Sequence, residues 1–174
     1  MLVADDDPAA RSLIVALASA RVDSLGVLEA ADGADAVEIG LERRPQIALL
    51  DVEMPRLDGI EAALVLRELQ PRMALALHTG APLEHRARAR EHGLLLFDKI
   101  DPDGAVAWLE LQAHRSNGGR TVRPARPRRL VLECATCGYG IARPTAPERC
   151  PMCQSEAPWI DMSRRRRARA HLAH

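Results

Sequence analysis

A chain of 174 residues with 47% apolar content has room for one ordinary domain and a small module, and with 2% aromatic residues its core must be Leu, Val, Ala and Ile. The formal net charge of zero hides a split: residues 1–115 hold 12 Lys and Arg against 20 Asp and Glu, leaving −8, and residues 116–174 hold 12 against 4, leaving +8. No apolar run reaches the roughly 18–20 residues of a membrane-spanning helix, the N-terminus turns acidic within five residues without a signal-peptide layout, and all four cysteines fall in two Cys-x-x-Cys pairs, so the expected compartment is the cytoplasm.

Strand and helix signals alternate along the first 115 residues. Leu2-Val3-Ala4 is a short apolar strand ended by Asp5-Asp6, and Pro8 to Ala20 a helix with proline near its first turn. Val27 to Ala30 predicts a second strand, Asp35 to Arg43 a helix closed by Pro45, and Ile47 to Leu50 a buried parallel strand. Gly59 to Leu69 is helical, Met73 to His78 extended, and Leu83 to His92 a polar helix stopped by Gly93, with Arg86, Arg88 and Arg90 on a solvated face. Leu94 to Asp98 is the fifth strand and Asp103 to His114 the fifth helix. Such alternation specifies a doubly wound, five-stranded parallel sheet with right-handed crossovers.

Asp51 ends the third strand as Asp5 and Asp6 end the first. In an open α/β sheet, sites form at the carboxyl ends of strands beside the topological switch point. Carboxylates gathered there repel one another unless a hard cation intervenes, and oxygen ligands suit Mg²⁺. Thr79 ends the fourth strand and Lys99 follows the fifth, which brings a hydroxyl and a cation to the same edge. This set suits acceptance of a phosphoryl group by a carboxylate.

Val-Ala-Asp-Asp-Asp-Pro-Ala-Ala-Arg at 3–11, Asp51 with Met-Pro-x-x-Asp-Gly at 54–59, Thr79-Gly80 and Lys99 stand in a specific order and spacing. Here the chain resembles the receiver domain of two-component response regulators, over roughly residues 1–115. The resemblance implies a flavodoxin-like fold of strand order 2-1-3-4-5, which sets Asp6 beside Asp51. It implies Asp51 as the phosphoacceptor, and Asp6, Asp51 and the backbone carbonyl of Glu53 as Mg²⁺ ligands, with Asp5 acting through water. Thr79 and Lys99 would contact phosphoryl oxygens. No enzyme activity beyond slow self-dephosphorylation is expected. Two positions depart from the family pattern: Ile100 follows Lys99 where proline is usual, and Leu96 stands where an aromatic is usual. Phe97, one position later, should face the other side of its strand. The phosphoryl ligands are kept, so these departures bear on the conformational readout.

Ser116 to Arg129 reads as a basic Pro/Gly linker over residues 116–129, and residues 130–160 as a compact four-cysteine module. Cys134, Cys137, Cys150 and Cys153 form two knuckles whose four thiolates suit Zn²⁺ or a single iron. So short a segment cannot build a sufficient core, so metal should supply most of its folding energy. Cys-x-x-Cys-Gly-Tyr, then Ala146-Pro147-Glu148 before Cys-Pro-x-Cys, with Trp159 after, is similar to the rubredoxin-like domain that ends rubrerythrins. It implies a small metal-stabilised β ribbon. Residues 161–174 form a basic tail around Arg164-Arg165-Arg166-Arg167.

The expectation is a response regulator in phosphorelay signalling, with a sensor histidine kinase or phosphotransfer protein as partner and the metal module as output or partner-docking element. One alternative is a redox or oxidant-sensing protein with iron at the cysteines. Another is nucleic-acid binding through the basic half, although no aromatics interleave the basic tail for base stacking.

Overall fold

The computed structural model describes residues 1–22, 25–116, 130–143, 145–156 and 159–162. The linker from 117 to 129 and the tail from 163 onward lie outside them. Five strands and five helices alternate: β1 (Leu2–Ala4), α1 (Pro8–Ser19), β2 (Leu28–Ala30), α2 (Gly33–Arg43), β3 (Ile47–Asp51), α3 (Gly59–Leu69), β4 (Ala74–Thr79), α4 (Pro82–Glu91), β5 (Leu95–Asp98) and α5 (Pro102–Ser116). All neighbouring strands of the large sheet are parallel and their order is β2-β1-β3-β4-β5, the expected doubly wound arrangement. Three helices begin at an aspartate whose carboxylate accepts a backbone N–H: Asp7 from Ala9, Asp32 from Asp35 and Asp58 from Glu61.

Strand alternation divides the core in two. Leu2, Ala48, Leu50, Leu77 and Leu96 pack with Ile60, Ala63 and Leu66 of α3 on one face. Val3, Ile47, Leu49, Ala76, Leu95 and Phe97 pack with Ile14 of α1 and with Val106, Trp108 and Leu109 of α5 on the other. Leu96 and Phe97 thus face opposite layers, as their spacing requires. Helix α4 buries only Pro82 and Ala89. Its Arg88 is not merely solvated: it pairs with Asp58 at 2.7 Å and reaches Glu61 at 3.6 Å, which ties α4 to the start of α3.

The cysteine segment forms a three-stranded antiparallel sheet of β6 (Leu130–Cys134), β7 (Gly140–Arg143) and β8 (Trp159–Asp161), in the order β7-β6-β8. One face, with Leu132, Tyr139 and Ile141, closes over the cysteines. The other face supplies Val131 and Ala142 to the same layer as Phe97 and Trp108. The two sheets touch where Tyr139 bridges to Leu96 of the edge strand β5. Phe97 is fully buried between Gly104 of α5 and Gly140 of β7: a Cβ on Gly104 would lie 3.1 Å from its ring and one on Gly140 only 2.6 Å from it. Arg143 pairs with Asp101 at 3.0 Å, and Arg115 donates to the carbonyl of Met162 at 2.8 Å. The chain has four aromatic residues, and Phe97, Trp108 and Tyr139 all lie at this junction. Side chains that bury most area per residue are therefore spent on seating the ribbon.

Candidate functional site

At the carboxyl edge of the large sheet, Asp5, Asp51 and Thr79 are buried, while Asp6 is exposed. One carboxylate oxygen from each of Asp5, Asp6 and Asp51 lies within 4.8 Å of the other two. Lys99 Nζ sits between two of them, 2.8 Å from Asp5 Oδ2 and 2.8 Å from Asp51 Oδ2. Its backbone N–H donates to the Thr79 carbonyl at 2.9 Å, so β4 fixes where the side chain starts. Asp51 Oδ1 accepts the Val52 N–H at 2.7 Å, and Asp5 Oδ1 that of Asp7 at 3.0 Å. Thr79 Oγ1 accepts the Ala81 N–H at 3.2 Å, which leaves its hydroxyl hydrogen to be donated. The side chains of Asp5, Asp6, Asp51 and Lys99 come together, and Thr79 ends the neighbouring strand at the same edge.

Burial, with repulsion from Asp5, pushes the Asp51 carboxyl above its ordinary range, and the Lys99 ammonium offsets this only in part. Burial works to lower Lys99, yet the two carboxylates raise it above its usual value. The pocket thus holds a costly anion against a firmly charged cation. The three carboxylates are hard oxygen donors close enough to share one ion, and they fit Mg²⁺.

The β3–α3 loop wraps this pocket tightly. Gly59 donates its N–H to the Val52 carbonyl at 2.9 Å, and a Cβ there would fall 1.7 Å from the Asp51 carbonyl oxygen. Arg56, with φ of 65°, folds back to Asp32, where its Nε lies 2.7 Å from Oδ2. The Glu53 carboxylate is exposed and turned towards His85 Nε2, 3.6 Å away, so only its main chain is left for the pocket.

Sequence reasoning passed over His78. Its register partners are Asp51 and Phe97, so it lies on the α5 side of the sheet. It is almost wholly buried, and its Nε2 has no hydrogen-bond partner among the described residues. Burial, aided by the Lys99 charge, drives its pKa down to about 4. It is therefore neutral at any ordinary pH.

The four cysteines meet as the spacing predicts. Their sulfurs all lie within 4.8 Å of one another, with Cys134 to Cys153 at 3.8 Å and Cys137 to Cys150 at 3.7 Å. A disulfide needs about 2.05 Å. Sulfurs about 2.3 Å from one tetrahedral ion stand about 3.8 Å apart, so the set fits a metal-tetrathiolate centre. The knuckles match in detail. Gly138 N–H closes the first onto the Cys134 carbonyl and Gln154 N–H the second onto the Cys150 carbonyl, each at 2.8 Å. The residue after each pair is left-handed, Gly138 at φ 74° and Gln154 at φ 57°, a conformation that glycine adopts without cost. Burial pushes the Cys137 and Cys150 thiols up. The Ser155 hydroxyl, 3.1 Å from Cys153 Sγ, brings Cys153 down to about 6. Trp159 donates its indole N–H to the Pro147 carbonyl at 2.7 Å and so anchors β8 to the second knuckle.

Comparison with known proteins follows this division. The chain is 39% identical over 97 residues to protein-glutamate methylesterase/protein-glutamine glutaminase 4 of Myxococcus xanthus (strain DK1622), covering 47% of this chain and 27% of that protein. It is 30% identical over 128 residues to the uncharacterized transcriptional regulatory protein YxjL of Bacillus subtilis (strain 168), covering 71% of this chain and 58% of the relative. The chain thus spans well under two thirds of either relative's length. A two-component transcriptional regulator AraC from Clostridium phytofermentans ISDg shares the fold, at a TM-score of 0.56 and 24% identity over 69% of this chain and 97% of that one. Residues 1–97, more than half of the sequence, match the family model of the response regulator receiver domain, and the chain belongs to that family.

Proposed function

We propose that this chain is a phosphoacceptor of two-component signalling in which Asp51 takes the phosphoryl group, and that the four-cysteine ribbon is a rubredoxin-like zinc module serving as its output or partner-docking element. Receiver domains interact with histidine kinases or phosphotransfer proteins and bind Mg²⁺ through acidic residues. The observation that carries the reading for this chain is Lys99 Nζ set between Asp5 and Asp51, 2.8 Å from each.

In the proposed transfer an Asp51 carboxylate oxygen forms the new bond to phosphorus, and the bond from phosphorus to the donor, a histidine nitrogen or an acyl-phosphate oxygen, breaks. Asp5, Asp6 and Asp51 would hold Mg²⁺, with the Glu53 main chain, and the ion would neutralise charge on the phosphoryl oxygens. Lys99 would pair with one of those oxygens and Thr79 would donate its hydroxyl to another. Little covalent chemistry falls to the protein beyond the acceptor itself; positioning and charge do the rest. The raised Asp51 carboxyl supports an acceptor whose charge is poorly solvated and so more ready to attack.

Incubation with radiolabelled acetyl phosphate and Mg²⁺ tests the assignment: one acid-stable, base-labile label is expected, absent in Asp51→Asn. Metal analysis of the purified protein tests the ribbon, with one zinc per chain and no visible colour expected. A red protein would mean iron, and the redox alternative would take its place.

A further inference from the structure

The ribbon does not hang from the receiver; it packs against β5 and α5. β5 is the edge strand of the large sheet, paired on one side only, with β4. On its open side the Tyr139 bridge at Leu96 and the Gly140 contact at Phe97 take the place of a sixth strand. Two residues beyond Phe97 is Lys99, the cation between Asp5 and Asp51. Tyr139 and Gly140 follow directly on Cys137 and Gly138, in the first metal knuckle. The path from thiolate centre to phosphoryl pocket is thus a few residues of backbone and one buried ring.

From this we infer that metal at the four cysteines and occupancy of the Asp51 pocket are coupled through β5, so that the ribbon is a metal-responsive input to the receiver. The inference rests on the phosphoacceptor reading above. With metal bound, the ribbon core of Leu132, Tyr139 and Ile141 is organised around the cysteines and clamps Leu96 and Phe97. Lys99 then starts from a fixed backbone, with its ammonium already in the pocket. Without metal so small a core cannot hold itself together, and β5 loses what covers its edge. The sign follows: metal favours occupancy of the pocket by a phosphoryl group. Linkage makes the effect reciprocal, so pocket occupancy tightens metal binding by the same factor. No ligand of either site need touch the other, because β5 is shared.

The experiment uses the full chain under reducing conditions, zinc-loaded or stripped with a chelator that is then removed. Beryllofluoride with Mg²⁺ serves as phosphoryl mimic, its binding read by ¹⁹F NMR, and amide hydrogen exchange is followed over residues 95–99. Stripping zinc should speed exchange in that strand and weaken beryllofluoride binding at least about fivefold. Beryllofluoride should tighten zinc, in competition with a chromophoric chelator, by the same factor. Gly140→Val adds a branched side chain where even a Cβ would lie 2.6 Å from the Phe97 ring. It should keep one zinc yet reduce the response to less than twofold. If that variant does not fold, Arg143→Ala, which removes the Asp101 pair, should lower the response partway. Unchanged exchange and unchanged beryllofluoride affinity on zinc removal would overturn the inference, as would a full response in a folded Gly140→Val. Failure of the zinc-loaded protein to bind beryllofluoride would overturn instead the phosphoacceptor reading, and exchange in β5 would still decide the coupling.

Discussion

The main chain of Gly59 crosses so close to Asp51 that a single added carbon on the glycine would sit 1.7 Å from the aspartate's carbonyl oxygen. Gly59→Ala must therefore move either the start of α3 or the end of β3, which carries the acceptor. Overpacking of this kind costs about 1–3 kcal/mol. Urea denaturation should show that loss, and labelling by acetyl phosphate should fall with it. A variant as stable and as readily labelled as the parent would mean that the loop yields without cost.

Lys99 should show opposite effects on two ligands. Its ammonium contacts two of the three carboxylates that would hold Mg²⁺, Asp5 and Asp51, and so competes with the ion for them. Lys99→Ala should tighten Mg²⁺ binding, read by quenching or calorimetry, while slowing phosphoryl acceptance by about 100-fold, as loss of one transition-state donor does. Weaker Mg²⁺ binding in the variant would show that the lysine orders the carboxylates more than it competes with the metal.

His78 makes a prediction about acid. Its folded pKa is lowered to about 4 from an ordinary 6.5, so between those values the unfolded chain takes up a proton that the folded chain refuses. Stability should accordingly fall as pH drops from 6.5 towards 4 and gain no further penalty from this residue below that. The full effect is on the order of 3 kcal/mol. His78→Val should flatten this part of the profile of unfolding free energy against pH, with zinc held saturating. An equal slope in both proteins over that window would assign the acid sensitivity elsewhere.

Zinc removal should also be felt beyond the ribbon. Val131 and Ala142 fill the layer of Phe97 and Trp108, so an unfolded ribbon uncovers core that belongs to the receiver. The receiver's thermal midpoint, followed by the Trp108 signal in Trp159→Phe, should drop on the order of 5 °C after chelation. A receiver that melts at the same temperature with and without metal would show two independent units.

The pocket was legible because each of its side chains sits at a strand terminus, where a short apolar run followed by Asp, Thr or Lys is a local signal. The four cysteines were legible by spacing alone. His78 was missed because a histidine at the end of a strand carries no mark of which face it takes until the register with Asp51 is known. The seat of the ribbon was missed for a different reason: contacts between Phe97 and Gly140 cross a linker without periodicity. A trace was present all the same. Gly104, Ala105, Val106, Ala107, Trp108 and Leu109 are consecutive and all buried, and a helix apolar all round needs cover on more than one side.

Phe97 held between two glycines also limits how the parts can be exchanged. A receiver with an ordinary side chain at the place of Gly104 would crowd the Phe97 ring, and one with a small residue at that of Phe97 would leave the ribbon a poorer seat. The ribbon in turn carries, in Val131 and Ala142, an apolar underside packed into the layer of Phe97 and Trp108. A chimera joined at the linker would inherit the metal centre but not its seat, and would present that underside to solvent, an invitation to self-association. The graft that works must carry α5 and β5 along with the cysteines.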